Sequence, residues 1–406
     1  MIEPQSAFTV GQRIQYHRER AGKTRVVVGG LVGRSAEWVK AVEKGRILPP
    51  RLPMLSKLAG VLKVSVRDLL DDEADQLEAL TGLSHSALPA VRDALNEYAL
   101  WPDVEPQPLD QLQDRLAEAW RARHASRDHR TVLGRLLPDL IRDAQHAARA
   151  YEGGQRRRAQ ALLAGVLGLT QFFVAYQADA SLLWRVADRA VVVAQDAGDP
   201  AAGALAAWLL VEALRDAGDW DTAMRVNLDA LQVTQRRLAQ SGGDDLLALW
   251  GMLQTGAALT AARAGEEGRA WRHWDEADRV VDRLPTAYVH PHTWFSRPVL
   301  GFYAVSLAVE LRKGGEAIRH AKRVSPAAIT SRPRRARHLV EVARGHHLRR
   351  EHADVIRTLH AAYDTAPETI RYNRDARGIA LEMLSGSPAL RRSAQDLALK
   401  VGLVEA

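Results

Sequence analysis

The chain has 406 residues, enough for two or three domains and too many for one small core. An apolar share of 47% with 26% charged residues excludes wholesale disorder and fibrous repeats, and the absence of cysteine excludes a disulfide framework, a zinc ribbon, an iron–sulfur cluster and a thiol nucleophile. The net charge of +7 is uneven: five Lys and eight Arg against five acidic residues give residues 1–70 a net +8 and leave −1 for the rest, as for a polyanion-binding head on a neutral body.

Met1-Ile2-Glu3-Pro4 has neither a basic n-region nor an apolar h-region, so no leader is expected. The longest apolar run, Ala161 to Tyr176, is short for a membrane span and contains Thr170 and Gln171. A cytoplasmic chain without membrane contact is the expectation. Apolar residues recur at three and four, and strand-like alternation is scarce, which predicts an all-α fold.

In the first seventy residues, caps and breakers predict five short helices. Helix one runs from about Thr9 to Ala21 and is ended by Gly22. Thr24 caps a second helix reaching about Leu31, Gly33 takes the positive φ of the following turn, and Ser35 caps a third helix ending at Lys44 with Gly45 beyond it. Leu52, Leu55, Leu58 and Leu62 form the stripe of helix four, and Ser65 to Asp68 reads as a capping box opening helix five.

Thr24-Arg-Val-Val-Val28-Gly29, then Gly33-Arg-Ser35, then Val39, Val42 and Glu43-Lys-Gly45-Arg46, resemble the XRE (Cro/C1-type) helix-turn-helix without an insertion. Gly29 stands where that family prefers Ala, and Arg34 where it prefers a small apolar residue. The resemblance implies a third helix that enters the major groove. With Val39 and Val42 turned to the core, the opposite face carries Ala36, Glu37, Lys40, Ala41 and Lys44. Glu37 can accept from a cytosine amine, Lys40 can reach guanine or phosphate, and the two alanines can touch thymine methyls. Thr24, Arg25, Arg46 and Arg51 suit phosphates, Arg34 adds a charge near the expected phosphate path, and Ser35 is a further candidate DNA contact. Trp38 reads as a packing residue and Glu43 as structural.

Residues 73–109 read as a linker with one helix, about Leu88 to Tyr98, so the expected domains are 1–72, this linker, and 110–406. From Leu109 onward, breakers divide the chain into about fourteen helices, or seven hairpins. Ala187 and Ala194, Ala223 and Ala230, and Ala270 and Ala277 are seven apart, on the second helix of successive hairpins. Ala213-Leu-Arg-Asp-Ala-Gly218-Asp-Trp-Asp-Thr-Ala223 resembles a tetratricopeptide unit, with unequal spacing between units. The resemblance implies a solenoid with a concave groove, and Trp208, Trp250, Trp294, Arg297 and Tyr303 are its candidate ligand contacts. Asn is nearly absent, so no asparagine clamp on a peptide backbone is visible.

His290-Pro-His292, His346-His347, His352 and His360 lack a carboxylate at ligand spacing, and neither metal nor cofactor is expected. Arg332-Pro-Arg-Arg-Ala-Arg337 reads as a surface at the start of a helix, not a second DNA site. No phosphate loop, serine elbow or HExxH helix is present, so no enzyme is expected. Together with Gly33-Arg-Ser-Ala-Glu-Trp-Val39 and Ala366-Pro-Glu368, the Arg bias looks like the actinobacterial branch of XRE regulators with tetratricopeptide bodies. That likeness implies a homodimeric transcriptional regulator on a two-fold operator in double-stranded DNA, with a peptide, small molecule or protein as effector. The alternative is a protein-interaction scaffold localised to DNA by its head.

Overall fold

The computed structural model describes residues 9–47, 50, 52–64, 68–69, 83–97, 105–177, 179–384 and 388–403. Among the described residues the regular structure is entirely helical. The head contains α1 (Val10–Arg20), α2 (Arg25–Val32), α3 (Ala36–Glu43) and α4 (Leu52–Leu62). Thr9, Thr24 and Ser35 cap the first three, each accepting a backbone N–H three residues on. Arg51 and most of the expected fifth helix lie outside the described residues.

Ile14, Val28, Val39, Val42 and Leu58 close the head core. Beside it, buried Glu43 accepts from Nε of Arg18 at 2.5 Å and Nε of Arg25 at 2.7 Å, tying α1, α2 and the end of α3 together. Gly33 takes the left-handed φ of 72° between α2 and α3. At Gly29 a Cβ would lie 2.6 Å from the backbone oxygen of Arg34, so the turn between α2 and α3 folds too closely onto α2 to admit an alanine there.

The body begins with α5 (Leu88–Asn96), whose Leu88, Val91, Ala94 and Leu95 join the core of the helices that follow. The expected linker helix is thus built into the body. Fifteen helices come next: α6 (Leu109–Ala125), α7 (His129–Ala150), α8 (Gly153–Val174), α9 (Ala180–Ala197), α10 (Pro200–Asp216), α11 (Trp220–Ser241), α12 (Asp244–Arg263), α13 (Glu267–Arg283), α14 (Arg297–Glu310), α15 (Gly314–Ala321), α16 (Arg332–Leu348), α17 (His352–Thr365), the single-turn α18 (Pro367–Arg371), α19 (Arg374–Leu384) and α20 (Pro388–Lys400).

The first helix of each pair packs inside and the second outside. α12 buries sixteen of its twenty residues, whereas α13 buries only Ala270, Ala277 and Val280 on the stripe facing it. Ala187, Ala190 and Ala194 do the same on α9. The inner helices α6, α8, α10, α12, α14 and α16 contact one another in that order, and α16 returns to α6. The expected open groove is therefore closed into a ring.

Side chains make the seam. Nδ1 of His124 lies 2.8 Å from the Ser331 hydroxyl, and the Trp120 ring stacks on His292 at 4.7 Å. Glu368 reaches across the ring to α7, accepting from the backbone N–H groups of Arg130 at 2.5 Å and Thr131 at 3.1 Å and from the Thr131 hydroxyl. A carboxylate on the first turn of a helix is favoured by the helix dipole and fills orphan donors.

Two expectations follow. Gly29→Ala should lower head stability by about 1–3 kcal/mol in urea titrations, the clash with backbone exceeding the gain in helix propensity. Glu368→Ala should cost about 2–3 kcal/mol by the same measurement, because it leaves several donors without an acceptor.

Candidate nucleic-acid interface

α3 is placed by the Ser35 cap, the Gly33 turn and the buried Val39–Val42 stripe. Its outward residues are where the pattern predicts them: Glu37 and Lys44 are exposed, and Ala36, Lys40 and Ala41 half-buried. The Glu37 carboxylate lies 3.7 Å from Nζ of Lys40 and 3.8 Å from the Arg46 guanidinium, so two cations on the same face offset its charge towards a phosphate backbone. The Thr24 and Ser35 hydroxyls accept from their own helices, which leaves each O–H free to donate to a phosphate.

Two predicted phosphate contacts are engaged elsewhere. Arg25 gives its Nε to Glu43. Arg34 reaches into the body, where it donates to the Asp221 carboxylate at 2.5 Å and the Gly218 carbonyl at 2.6 Å and lies 4.8 Å over the Trp220 ring. Burial lowers the Arg34 pKa, and Asp221 and Asp219 oppose the shift. Where the family resemblance implies a small apolar residue, this chain has a strut to its body.

The strut is part of a wider seat. Trp220 packs in the head core, edge-on to Trp38 at 5.8 Å. Ile47 meets the Gly265 turn, and Met54 meets Gly218. Between these contacts is a cleft of about 630 Å³, with Ser35, Glu37, Ala41 and Arg46 on one wall and Gly265, Glu266, Glu267 and Arg312 on the other. A helix reads DNA only when it can enter a groove about 12 Å wide. In the docked state α3 faces turns of the body across this cleft, while the side chains of Glu37 and Arg46 on its wall stay exposed.

The helix-turn-helix domain family matches residues 9–72, which contain α1 to α4. The head is a helix-turn-helix domain. No curated protein matches the chain. Among solved structures, ComR from S. thermophilus, crystallised with DNA and its signalling peptide ComS, is similar at 15% identity over 62% of this chain and 100% of that one, with a TM-score of 0.19.

In the body, Trp208 and Tyr303 line a central cavity inside the ring, and the other predicted contacts do not. Trp250 donates to the Leu231 carbonyl, and Trp294 donates to the Thr330 hydroxyl with its ring 3.8 Å from that of His124, so both hold structure together. Arg297 lines a separate outer cavity of about 690 Å³ and pairs with Asp278 and Asp282. The reading missed Arg123, Arg130 and Arg334, which line the central cavity. Its signal was an arginine on an otherwise apolar stripe, as with Arg123 after Leu116, Ala119 and Trp120. The Arg332–Arg337 cluster does open α16, but it is not the expected surface: only Arg332 is exposed, and Arg334 and Arg337 line the central cavity because the first turn of α16 closes the ring.

The histidines are mostly structural. Nδ1 of His290 accepts from the backbone of His292 and Thr293, and burial pushes His290 down to about 3 and His292 to about 4. His346 does gain carboxylates that spacing did not show, Glu351 at 2.6 Å and Asp354 at 4.0 Å. Among the described residues no helix is long and apolar enough to cross a membrane.

Asp221→Lys replaces the strut's acceptor with a like charge. It should raise the affinity of the full chain for DNA by about threefold in low-salt anisotropy titrations, by increasing the undocked fraction. Unchanged binding would show that docking does not limit DNA access.

Proposed function

We propose that the protein is a non-enzymatic, sequence-specific DNA-binding transcriptional regulator. It acts as a homodimer on a two-fold operator, with its output set by an effector bound in the helical body. The basic helix-turn-helix head carries this reading. Glu37, Ala41, Ala36 and Lys40 read base edges, while Thr24, Ser35, Lys44 and Arg46 lie on phosphates. Arg34 instead holds the docked state, in which the reading face looks across the cleft at the body. Release of the head from this seat frees the cleft side of α3, and an effector that prefers the undocked state increases DNA affinity by the difference in its own affinities for the two states. Dimerisation supports specificity because two half-sites about one helical turn apart make the second contact intramolecular.

Genome-wide selection of the operator, followed by competition titrations against all its single-base variants, tests this reading. Glu37→Ala should cost about 1–3 kcal/mol on the operator and relax preference at one base pair. Arg46→Ala should weaken operator and random duplex alike and flatten the salt dependence. Equal affinity of the wild type for operator and random DNA would overturn the assignment.

A further inference from the structure

The wall of the central cavity carries six arginines and four carboxylates. All four carboxylates are already taken: Glu212 by Arg215, Asp216 and Glu310 by Arg263, and Glu341 by Arg337 and Arg344. For Arg123, Arg130 and Arg334, no carboxylate among the described residues comes within ion-pair distance of the guanidinium. Glu368 acts on Arg130 through space without pairing with its guanidinium, and spends its oxygens on the start of α7.

These three arginines are all more than nine-tenths buried. Arg123 stacks on Phe172 at 3.9 Å, gives Nη1 to His124 and leaves Nε without a partner. Arg130 gives Nη1 to the Phe173 carbonyl, lies 5.0 Å over Tyr372 and also leaves Nε unpartnered. Arg334 has a long contact of 3.4 Å to the Tyr303 hydroxyl and leaves both Nε and Nη2 unpartnered. Burial and the charges of Arg334 and Arg130 pull Arg123 well below the usual arginine range. A buried cation without a counter-ion is strongly unfavourable, and three around one cavity aggravate one another. All three stand where the end of the ring returns to its beginning, on α6, α7 and α16.

Aromatic rings, among them Phe172, Trp208 and Tyr303, line much of the remaining wall together with Ala175, Leu259 and a few polar side chains, and the cavity measures about 160 Å³. That is close to the ~150 Å³ at which an apolar cavity takes up a benzene ring. Planar guanidinium groups match carboxylates in two-pronged contacts. We propose that this cavity binds a ring-sized organic carboxylate, the acid held by Arg334 with Arg123 and Arg130 and the apolar part by Phe172, Trp208 and Tyr303. The acid belongs either to a free metabolite or to the last residue of a peptide; the recognition chemistry is the same. Bound there, it bridges the two ends of the ring. The inference rests on the reading of the body as an effector-binding domain and names the class of effector.

The test uses the full chain without DNA, at fixed pH and ionic strength. Unfolding temperature is followed against benzoate, phenylacetate, hexanoate, benzamide, inorganic phosphate, and a tetrapeptide ending in phenylalanine with a free or amidated terminus. Saturable stabilisation is expected from at least one acid and not from its neutral amide, and the free acids against the free-terminus peptide identify the source. Arg334→Met should weaken that acid at least about tenfold and raise the unfolding temperature of the ligand-free chain, since it removes a buried charge that has no counter-ion. Equal protection by the amides, protection by phosphate alone, no protection by any acid, or an Arg334→Met chain that binds the acid like the wild type would each overturn the proposal. With no DNA present, failure here leaves the head's DNA binding to its own titrations.

Discussion

Closure of the inner helices into a ring is the constraint on which the rest of the body depends. A stack of helix pairs buries its faces only against its neighbours, so its first and last members would otherwise expose apolar surface. Here α16 returns to α6, and Glu368 pins the start of α7 across 237 residues of chain. The aromatic stack of Trp120, His124, His292 and Trp294 fills the same seam. Polar groups brought together this way are hydrogen-bonded where the fold can supply partners. The three seam arginines facing the cavity keep unpartnered nitrogens.

The ring also determines where the head sits. The turn between α10 and α11 presents Gly218, Trp220 and Asp221, and the turn between α12 and α13 presents Gly265 to Glu267. Both are joints between an inner and an outer helix, exposed on one rim of the ring. The head docks on these turns through Arg34, Trp38 and Ile47, so its seat and the cavity share α10 and α12. Trp208 and Leu259 face the cavity on the same helices that end at the seat. A change in how these helices pack around a ligand therefore has a short physical route to the head, through rigid helices and a contact that holds by few side chains.

Arg34 illustrates how one residue carries different information at the two levels. In sequence it is a cation in a basic segment, three residues before α3 turns its Glu37 outward, and a phosphate contact is the natural reading. In the fold its guanidinium lies beside the Trp38–Trp220 pair, 4.8 Å over the Trp220 ring, and its donors are used on the body. Gly29 is the reverse case: the sequence marks it as a departure, and the 2.6 Å approach of the Arg34 carbonyl explains why a Cβ is excluded.

The sequence by itself determined the all-α class, the helix-turn-helix head with its caps and its valine stripe, the buried alanines of the outer helices and the paired-helix body. These follow from local chemistry: caps, glycine turns and the period of apolar residues act within a few positions. That Glu37, Lys40 and Ala41 share the outward face of α3 was legible for the same reason, because a helix face is set by spacing. Only the tertiary structure decided that the ring closes, that Trp250, Trp294 and Arg297 stand off the central cavity while Arg123, Arg130 and Arg334 line it, and that Arg34 belongs to the docking contact. Each of these joins residues far apart in the chain, and whether an arginine has a counter-ion is a property of who else arrives in space, which no helical period encodes.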